Sequence, residues 1–198
     1  MTRFYKIRRL FNLENLLDLD DIAMLLSAAR EQILHSDYVV IGSISVIAAS
    51  LNHKIPPRML MSNDFDCYPI NDPARAFDLT GTLGEGSAFQ KENGFYLDPV
   101  SPSLATLPAD WESRLNVLKL NNGITLRCLD PDDAAISKYA RGEPRDREWI
   151  RAGIAQSIIS TDIIRQRLKK TIFLDSAEET AAITRFEEDA VWFKETLK

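Results

Sequence analysis

The alternation in Asp64-Phe65-Asp66-Cys67 is the sequence feature that most limits how this chain can fold. In an extended strand, side chains at i and i+2 leave from the same face. Asp64 and Asp66 would therefore project side by side, while Phe65 and Cys67 point into a core on the other face. Paired carboxylates are natural ligands for a divalent metal ion such as magnesium. The pattern predicts a strand with one buried face and one metal-binding face.

Composition sets the class of protein. The chain has 198 residues, 45% hydrophobic content and a net charge of -5, which argues against non-specific coating of nucleic acid. The apolar runs at 38–49 and 153–159 are too short to span a membrane, and the N-terminus lacks a signal-peptide apolar region. Cys67 and Cys128 lie in apolar strand-like segments, which favours reduced thiols in the core. We expect a cytoplasmic protein with no membrane segment.

The first 129 residues mix helical and extended patterns. Asn121-Asn122-Gly123 between two alternating apolar runs predicts a β-hairpin. The glycine-rich segment Gly81–Ser87 predicts a loop, either a flexible connector or the rim of an active site, and without a following Lys-Ser/Thr it is not a P-loop. The predicted elements are a helix at Leu13–Leu34, a buried strand at Tyr38–Ile41, a short apolar helix from Gly42-Ser43 to about Asn52, and strands at Met59–Pro69, Gly94–Val100, Val117–Leu120 and Ile124–Leu129.

From Asp130 onward the pattern is helical. Asp130 as N-cap followed by Pro131 predicts a helix that Gly142 ends. Further helices are predicted from Arg145 to Ile159, after Ser160, and after Ser176, where Glu179 completes a capping-box pattern. These patterns predict an α+β fold: a mixed β-sheet with flanking helices at residues 1–129, then a C-terminal helical lobe at 130–198. The active site is expected in the cleft between them.

The acidic pair suits phosphoryl or nucleotidyl transfer. Two magnesium ions offset the charge on the phosphate and help an attacking hydroxyl to lose its proton. A third carboxylate is normally needed near that hydroxyl, and Asp98 on the next predicted strand is the first candidate, followed by Asp78 and then Glu85. Taken alone, an Asp-x-Asp sequence is a weak signal, since it is common in surface turns and helix caps.

Three more positions are candidates for binding a nucleoside triphosphate. At Gly42-Ser43, a close backbone approach, N–H groups at a helix start and a hydroxyl could hold phosphate oxygens, although the pair could simply turn a strand into a helix. Arg58 could reach a terminal phosphate or could be solvated. Lys138 lies among small residues on a predicted helix and could approach another surface closely, or be an ordinary surface lysine.

In combination, Gly42-Ser43 and Asp64-Phe65-Asp66 resemble the Gly-Ser and Asp-x-Asp signature of the DNA polymerase beta-like nucleotidyltransferase superfamily. The resemblance extends over roughly residues 38 to 150 to a bacterial subfamily related to abortive-infection toxins. The blocks that carry it are 62–69, 83–89, 128–133, 136–142 and 145–148. One departure is the longer stretch, 44–63, between the two signatures.

The resemblance implies transfer of a nucleoside monophosphate from a nucleoside triphosphate to a hydroxyl, with release of pyrophosphate. Asp64 and Asp66, with Asp98, would bind two magnesium ions, Gly42-Ser43 would hold the triphosphate, and Lys138 would face the active site with Asp146 nearby. It further implies a toxin–antitoxin or phage-defence component whose acceptor is transfer RNA or protein, with a possible cognate antitoxin.

Other functions remain open at this stage. The protein could modify a small molecule such as an aminoglycoside, or it could be a catalytically silent, antitoxin-like nucleotide-binding module. A basic group could form a rim for RNA, although interleaved acidic residues favour a solvated, salt-bridged helix. That group comprises Arg141, Arg145, Arg147, Arg151 and Lys169-Lys170.

Overall fold

A mixed five-stranded sheet forms the centre of the protein in a computed structural model that describes residues 16–196. The strands are β1 (Asp37–Val40), β2 (Asp64–Pro69), β3 (Tyr96–Pro99), β4 (Asn116–Lys119) and β5 (Thr125–Cys128), and their order across the sheet is β3-β2-β1-β5-β4. Strand β1 is antiparallel to β2 and parallel to β5, while β2 and β3 are parallel. The predicted hairpin is present as the antiparallel pair of β4 and β5.

Helices surround this sheet and form most of the chain after β5, so the predicted α+β class is confirmed. The α-helices are α1 (Leu19–Ile33), α2 (Pro57–Leu60), α3 (Thr80–Leu83), α4 (Ala88–Asn93), α5 (Pro131–Arg141), α6 (Pro144–Ala155), α7 (Thr161–Leu168) and α8 (Ser176–Thr196). Short 3-10 helices occupy Ser43–Leu51, Pro73–Leu79 and Trp111–Arg114. Of the predicted first helix, residues 13–15 lie outside the described residues.

Alternation along the strands divides the core between the two faces of the sheet. Tyr38 and Val40 pack on one face with α1 and with Phe65 and Cys67 of β2. Val39 packs on the opposite face with residues of α5, α6, α7 and α8. The helical region thus shares a core with the sheet, and a domain boundary at residue 129 stays a prediction.

Local capping explains where several helices begin and end. The Asp18 side chain accepts from the backbone N–H groups of Asp20 and Asp21, and this capping box begins α1 at Leu19 rather than at Leu13. Asp130 caps α5, which ends at Gly142 in the left-handed conformation, as predicted. Ser160 caps α7 through the N–H of Ile163, also as predicted.

The cap predicted for α8 is wrong. Asp175, not Ser176, provides it: the Asp175 carboxylate accepts from the N–H groups of Ala177 and Glu178. The charge of the Asp175 carboxylate also complements the positive end of the helix dipole, which a serine hydroxyl cannot do.

A predicted strand and a predicted loop each contain a short helix. The strand predicted from Met59 begins at Asp64, because Pro57 starts helix α2 and Met59 is fully buried on it. The segment from Gly81 is not entirely a loop, since Thr80–Leu83 is helical and Leu83 is buried beside Leu79. Burial of these side chains outweighs the local preference of the glycines.

The structure also bears on the cysteines and on membrane insertion. Cys67 and Cys128 are buried free thiols, as predicted, and burial raises the pKa of the Cys128 thiol to about 12. Within residues 16–196, no helix has both the length and the apolar character that crossing a bilayer requires.

Candidate active site

Three aspartates converge on the face of the sheet that looks toward the helical region. Asp66 and Asp98 are register partners on the parallel strands β2 and β3, and Asp64 lies two residues before Asp66 on the same face. One carboxylate oxygen from each residue lies within 4.8 Å of those of the other two. Phe65 and Cys67 point into the opposite core, as their alternation predicts. The structure therefore forms an acidic triad of Asp64, Asp66 and Asp98.

Gly42 lies directly against this triad. The N–H of Ile41 donates to the carbonyl oxygen of Asp66 at 3.0 Å, which brings the end of β1 beside β2. Gly42 has φ +69°, and a Cβ atom at this position would collide with the Asp66 carboxylate. Only glycine meets both conditions without strain. Gly42 thus allows the backbone turn before Ser43 to approach the acidic triad.

Burial and like charges make it unfavourable for all three carboxylates of the triad to be ionised together. Burial, followed by the charges of Asp64 and Asp98, raises the pKa of Asp66 to about 7. Burial and the charges of Asp64 and Glu85 also raise the pKa of Asp98. Neighbouring carboxylates that lose proton affinity when a cation is bound are a suitable donor set for a divalent metal ion. These three residues fit such an ion.

A second polar group lies where α5 and α6 face the turn. Lys138 is buried, and its Nζ donates to Ser43 Oγ at 2.8 Å and to Asp146 Oδ1 at 3.3 Å. Arg141 donates to both carboxylate oxygens of Asp146, from Nε at 2.9 Å and from its terminal nitrogen at 2.5 Å. Asp146 therefore orients two cations toward the Ser43 turn.

The pKa shifts in this group follow from burial and pairing. Burial lowers the pKa of Lys138, and the Asp146 carboxylate offsets only part of that effect. Burial raises the pKa of Asp146, but the hydrogen bond from Arg141 and the charge of Lys138 outweigh it, so the pKa lies below its usual value. Asp146 is therefore ionised at neutral pH, and Lys138 holds its proton less firmly than a surface lysine.

A cavity of about 350 Å³ connects the sheet to the helical region. We call it the donor cavity. Gly42, Ser43, Asp64 and Asp66 line its sheet side. Its remaining walls come from α5, α6, α8 and the segment after β3, through Ser137, Ala140, Arg141, Arg145, Leu104, Ala105, Thr106 and Glu178. The cleft expected between the sheet and the helical region is present.

A second cavity of about 390 Å³ meets the first at Ser62, Asp64 and Arg145. We call it the acceptor cavity. It is lined by Arg58, Glu85 and Tyr96 among others, and Arg58 forms an ion pair with Glu148 at 2.5 Å. The structure thus separates Arg58 from the Ser43 turn.

The remaining predicted candidates lie elsewhere. Asp78 is exposed and pairs with Arg75 at 2.7 Å, outside the acidic triad. Glu85 lines the acceptor cavity and influences Asp98 through its charge. The alternative of a salt-bridged helix is confirmed for four residues of the basic group, which pair with acids of α6 or α8 or with the cap of α6: Arg141, Arg145, Arg147 and Arg151.

Sequence reasoning missed one wall of the donor cavity. Leu104, Thr106 and Glu178 were not candidates, because they lie in a segment without a motif and in the first turn of a long helix. A surface glutamate after a helix cap is ordinary, so no local signal distinguishes Glu178. Only the packing of α8 against the segment after β3 brings it to the cavity.

The candidate site thus consists of an acidic triad and a glycine turn on neighbouring strands of the mixed sheet. A family model described as "nucleotidyltransferase of unknown function (DUF6036)" matches residues 14–196. The chain belongs to this family. Neither the curated proteins nor the solved structures contain a significant match to it. Its link to the abortive-infection subfamily stays a prediction.

Proposed function

We propose that this protein transfers a nucleoside monophosphate from a nucleoside triphosphate to a hydroxyl group and releases pyrophosphate. The observation that carries this proposal is the acidic triad beside the Gly42 turn, of which Asp64 and Asp66 line a cavity that Arg141 also lines. The family match supports it. Asp64, Asp66 and Asp98 would hold two magnesium ions, which supply charge neutralisation at the reacting phosphate.

The triphosphate would lie along the Ser43 turn. Gly42 lets its oxygens approach the backbone closely, and Ser43 and Arg141 offer hydrogen-bond donors on two sides of the cavity. Lys138 is held 2.8 Å from Ser43 Oγ, so its ammonium group can neutralise phosphate charge without moving far. Asp146 acts through Lys138 and Arg141 as a positioning residue.

The acceptor hydroxyl would enter through the acceptor cavity. Asp64 lines both cavities, so an acceptor there would approach the Asp64 carboxylate from a cavity that adjoins the donor cavity. The raised pKa of Asp98 makes this carboxylate a better base for the hydroxyl proton than an ordinary aspartate. Arg58 and Arg145 would contact the acceptor rather than the triphosphate.

The nature of the acceptor follows from the resemblance stated above. We propose transfer RNA or a protein, in a toxin–antitoxin or phage-defence system with a cognate antitoxin, acting in the cytoplasm. The acceptor cavity is lined mainly by polar and charged side chains, which suits a polar hydroxyl-bearing partner.

The test is transfer of radiolabel from each α-labelled nucleoside triphosphate to total cellular RNA and protein, in the presence of magnesium. We expect labelled RNA or protein, and loss of labelling by about a thousandfold in Asp64→Asn and Asp66→Asn. Asp78→Asn is the matched control, because Asp78 is an exposed carboxylate outside the triad. Full labelling by either triad variant would refute the mechanism.

Two parallel assays separate the alternatives. If an added aminoglycoside is labelled and RNA and protein are not, the protein is a small-molecule enzyme. If calorimetry detects nucleotide binding but no acceptor is labelled, it is a silent module.

A further inference from the structure

Glu178 stands on the wall of the donor cavity formed by α8 and the segment after β3. Thr106 Oγ1 donates to both of its carboxylate oxygens, at 3.2 and 3.1 Å, and the Leu174 N–H donates to Oε2 at 2.8 Å. These contacts come from two separate chain segments. They hold the carboxylate in one orientation at the cavity surface.

The donors that hold Glu178 are all neutral. Within residues 16–196, no lysine, arginine or histidine nitrogen lies within ion-pair distance of it, whereas other carboxylates near the cavity, such as Asp146, have cationic partners. A carboxylate accepts up to about four hydrogen bonds, and the contacts above use one hydroxyl and one N–H. The single hydroxyl hydrogen of Thr106 is shared between the two oxygens, so Glu178 keeps acceptor capacity on both of them for a ligand in the cavity.

The charge of Glu178 indicates which part of a nucleotide it would meet. A carboxylate repels a triphosphate, for which the same cavity already offers Ser43 and Arg141 on its other walls. The base is the part of a nucleotide that offers N–H donors to a carboxylate. Leu104 lines the same wall with its side chain exposed, and it provides an apolar surface for the base ring.

We propose that Glu178, positioned by Thr106, selects guanine as the base of the donor nucleotide. This inference rests on the function proposed above. Among the four RNA bases, only guanine presents two adjacent N–H donors, at N1 and at the 2-amino group, which match the two oxygens of one carboxylate. Adenine and cytosine offer one amino group beside an acceptor, and uracil offers one N–H between two carbonyls. With any of these three bases, one carboxylate oxygen would face an acceptor atom of the base, so that a hydrogen bond is lost and the two atoms repel each other.

The experiment measures equilibrium binding by calorimetry of GTP, ITP, ATP, CTP and UTP to the full-length protein with magnesium. We expect GTP to bind about 10- to 100-fold more tightly than UTP, with ITP intermediate because it lacks the 2-amino group. Glu178→Gln should reduce the GTP preference to a few-fold without weakening UTP. Thr106→Val should reduce it partially, because the carboxylate loses its positioning hydroxyl.

Glu179→Gln is the matched control, since Glu179 is exposed on the same turn of α8 and does not line the donor cavity. It should keep the preference of the wild-type protein. Equal binding of all nucleotides, or a GTP preference that persists in Glu178→Gln, would overturn base selection by Glu178 and leave the proposed transferase intact. Failure of every nucleotide to bind would refute both proposals.

Discussion

Asp133 and Asp189 in the helical region each pair with two arginines, whereas the three carboxylates of the acidic triad face one another. Asp133 accepts from Arg114 and Arg167, and Asp189 accepts from Arg147 and Arg151. Within residues 16–196, no lysine or arginine nitrogen lies within ion-pair distance of Asp64, Asp66 or Asp98. A desolvated charge needs a partner. The chain supplies that partner in the helical region, and for the triad the function proposed above assigns it to magnesium.

The largest effect expected from this comparison is the loss of a paired carboxylate. Asp133 is fully buried, and Arg114 Nε and a terminal nitrogen of Arg167 donate to it at 2.8 and 2.9 Å. Asp133→Asn leaves Arg114 without its anion, while Arg167 keeps Asp130 at 2.6 Å, so we expect a loss of about 3 kcal/mol in the free energy of unfolding. Urea unfolding at pH 7 measures it. A loss below about 1 kcal/mol would show that the pairing is not structural.

Next in size is the gain in stability expected when magnesium binds the triad. At a concentration one hundred times the dissociation constant, magnesium should raise the free energy of unfolding by about 2.7 kcal/mol. The gain should be smaller at pH 6 than at pH 8, because protonated Asp66, with its pKa of about 7, must release a proton to bind the ion. Thermal unfolding with and without magnesium measures it, and Asp78→Asn should respond like the wild type.

Without magnesium, replacing Asp66 by a neutral residue should raise the free energy of unfolding, whereas replacing Asp133 lowers it. Its pKa in the folded protein is raised to about 7 from an ordinary value of 3.8, so the folded state holds the proton more tightly and stability falls as pH rises between these values. Asn does not ionise, so the Asp66→Asn protein does not lose this stability as the pH rises. In EDTA, Asp66→Asn should gain on the order of 2 kcal/mol over the wild type between pH 5 and pH 8. Parallel pH profiles of urea unfolding for the two proteins would contradict the comparison.

The smallest effect should come from an exposed pair. Arg75 and Asp78 lie 2.7 Å apart, but about half of each side chain is exposed to water. Solvent screens this attraction, and ordering the two side chains costs entropy. Arg75→Ala should therefore change the free energy of unfolding by less than about 0.5 kcal/mol. A change comparable to that of Asp133→Asn would show that burial does not explain the difference between the carboxylates.

Much of the fold could be predicted from patterns among residues that are close in sequence. The hairpin at Asn121-Asn122-Gly123, the Asp130 cap and the strand alternation at Asp64-Phe65-Asp66 each depend on residues that are neighbours in sequence. Helix α2, by contrast, has no such local signal, because the burial of Met59 that stabilises it depends on distant parts of the chain.

In the candidate site too, some features follow from the local sequence and others only from tertiary packing. By itself, the sequence determined that two carboxylates share one strand face and that a glycine turn ends the strand before them, because i, i+2 geometry and glycine's conformational range are local properties. Only the tertiary structure decided that Asp98 lies opposite Asp66, that Lys138 reaches Ser43, and that Glu178 completes the donor cavity. These contacts depend on strand register and helix packing between residues far apart in sequence, for which no local pattern carries a signal.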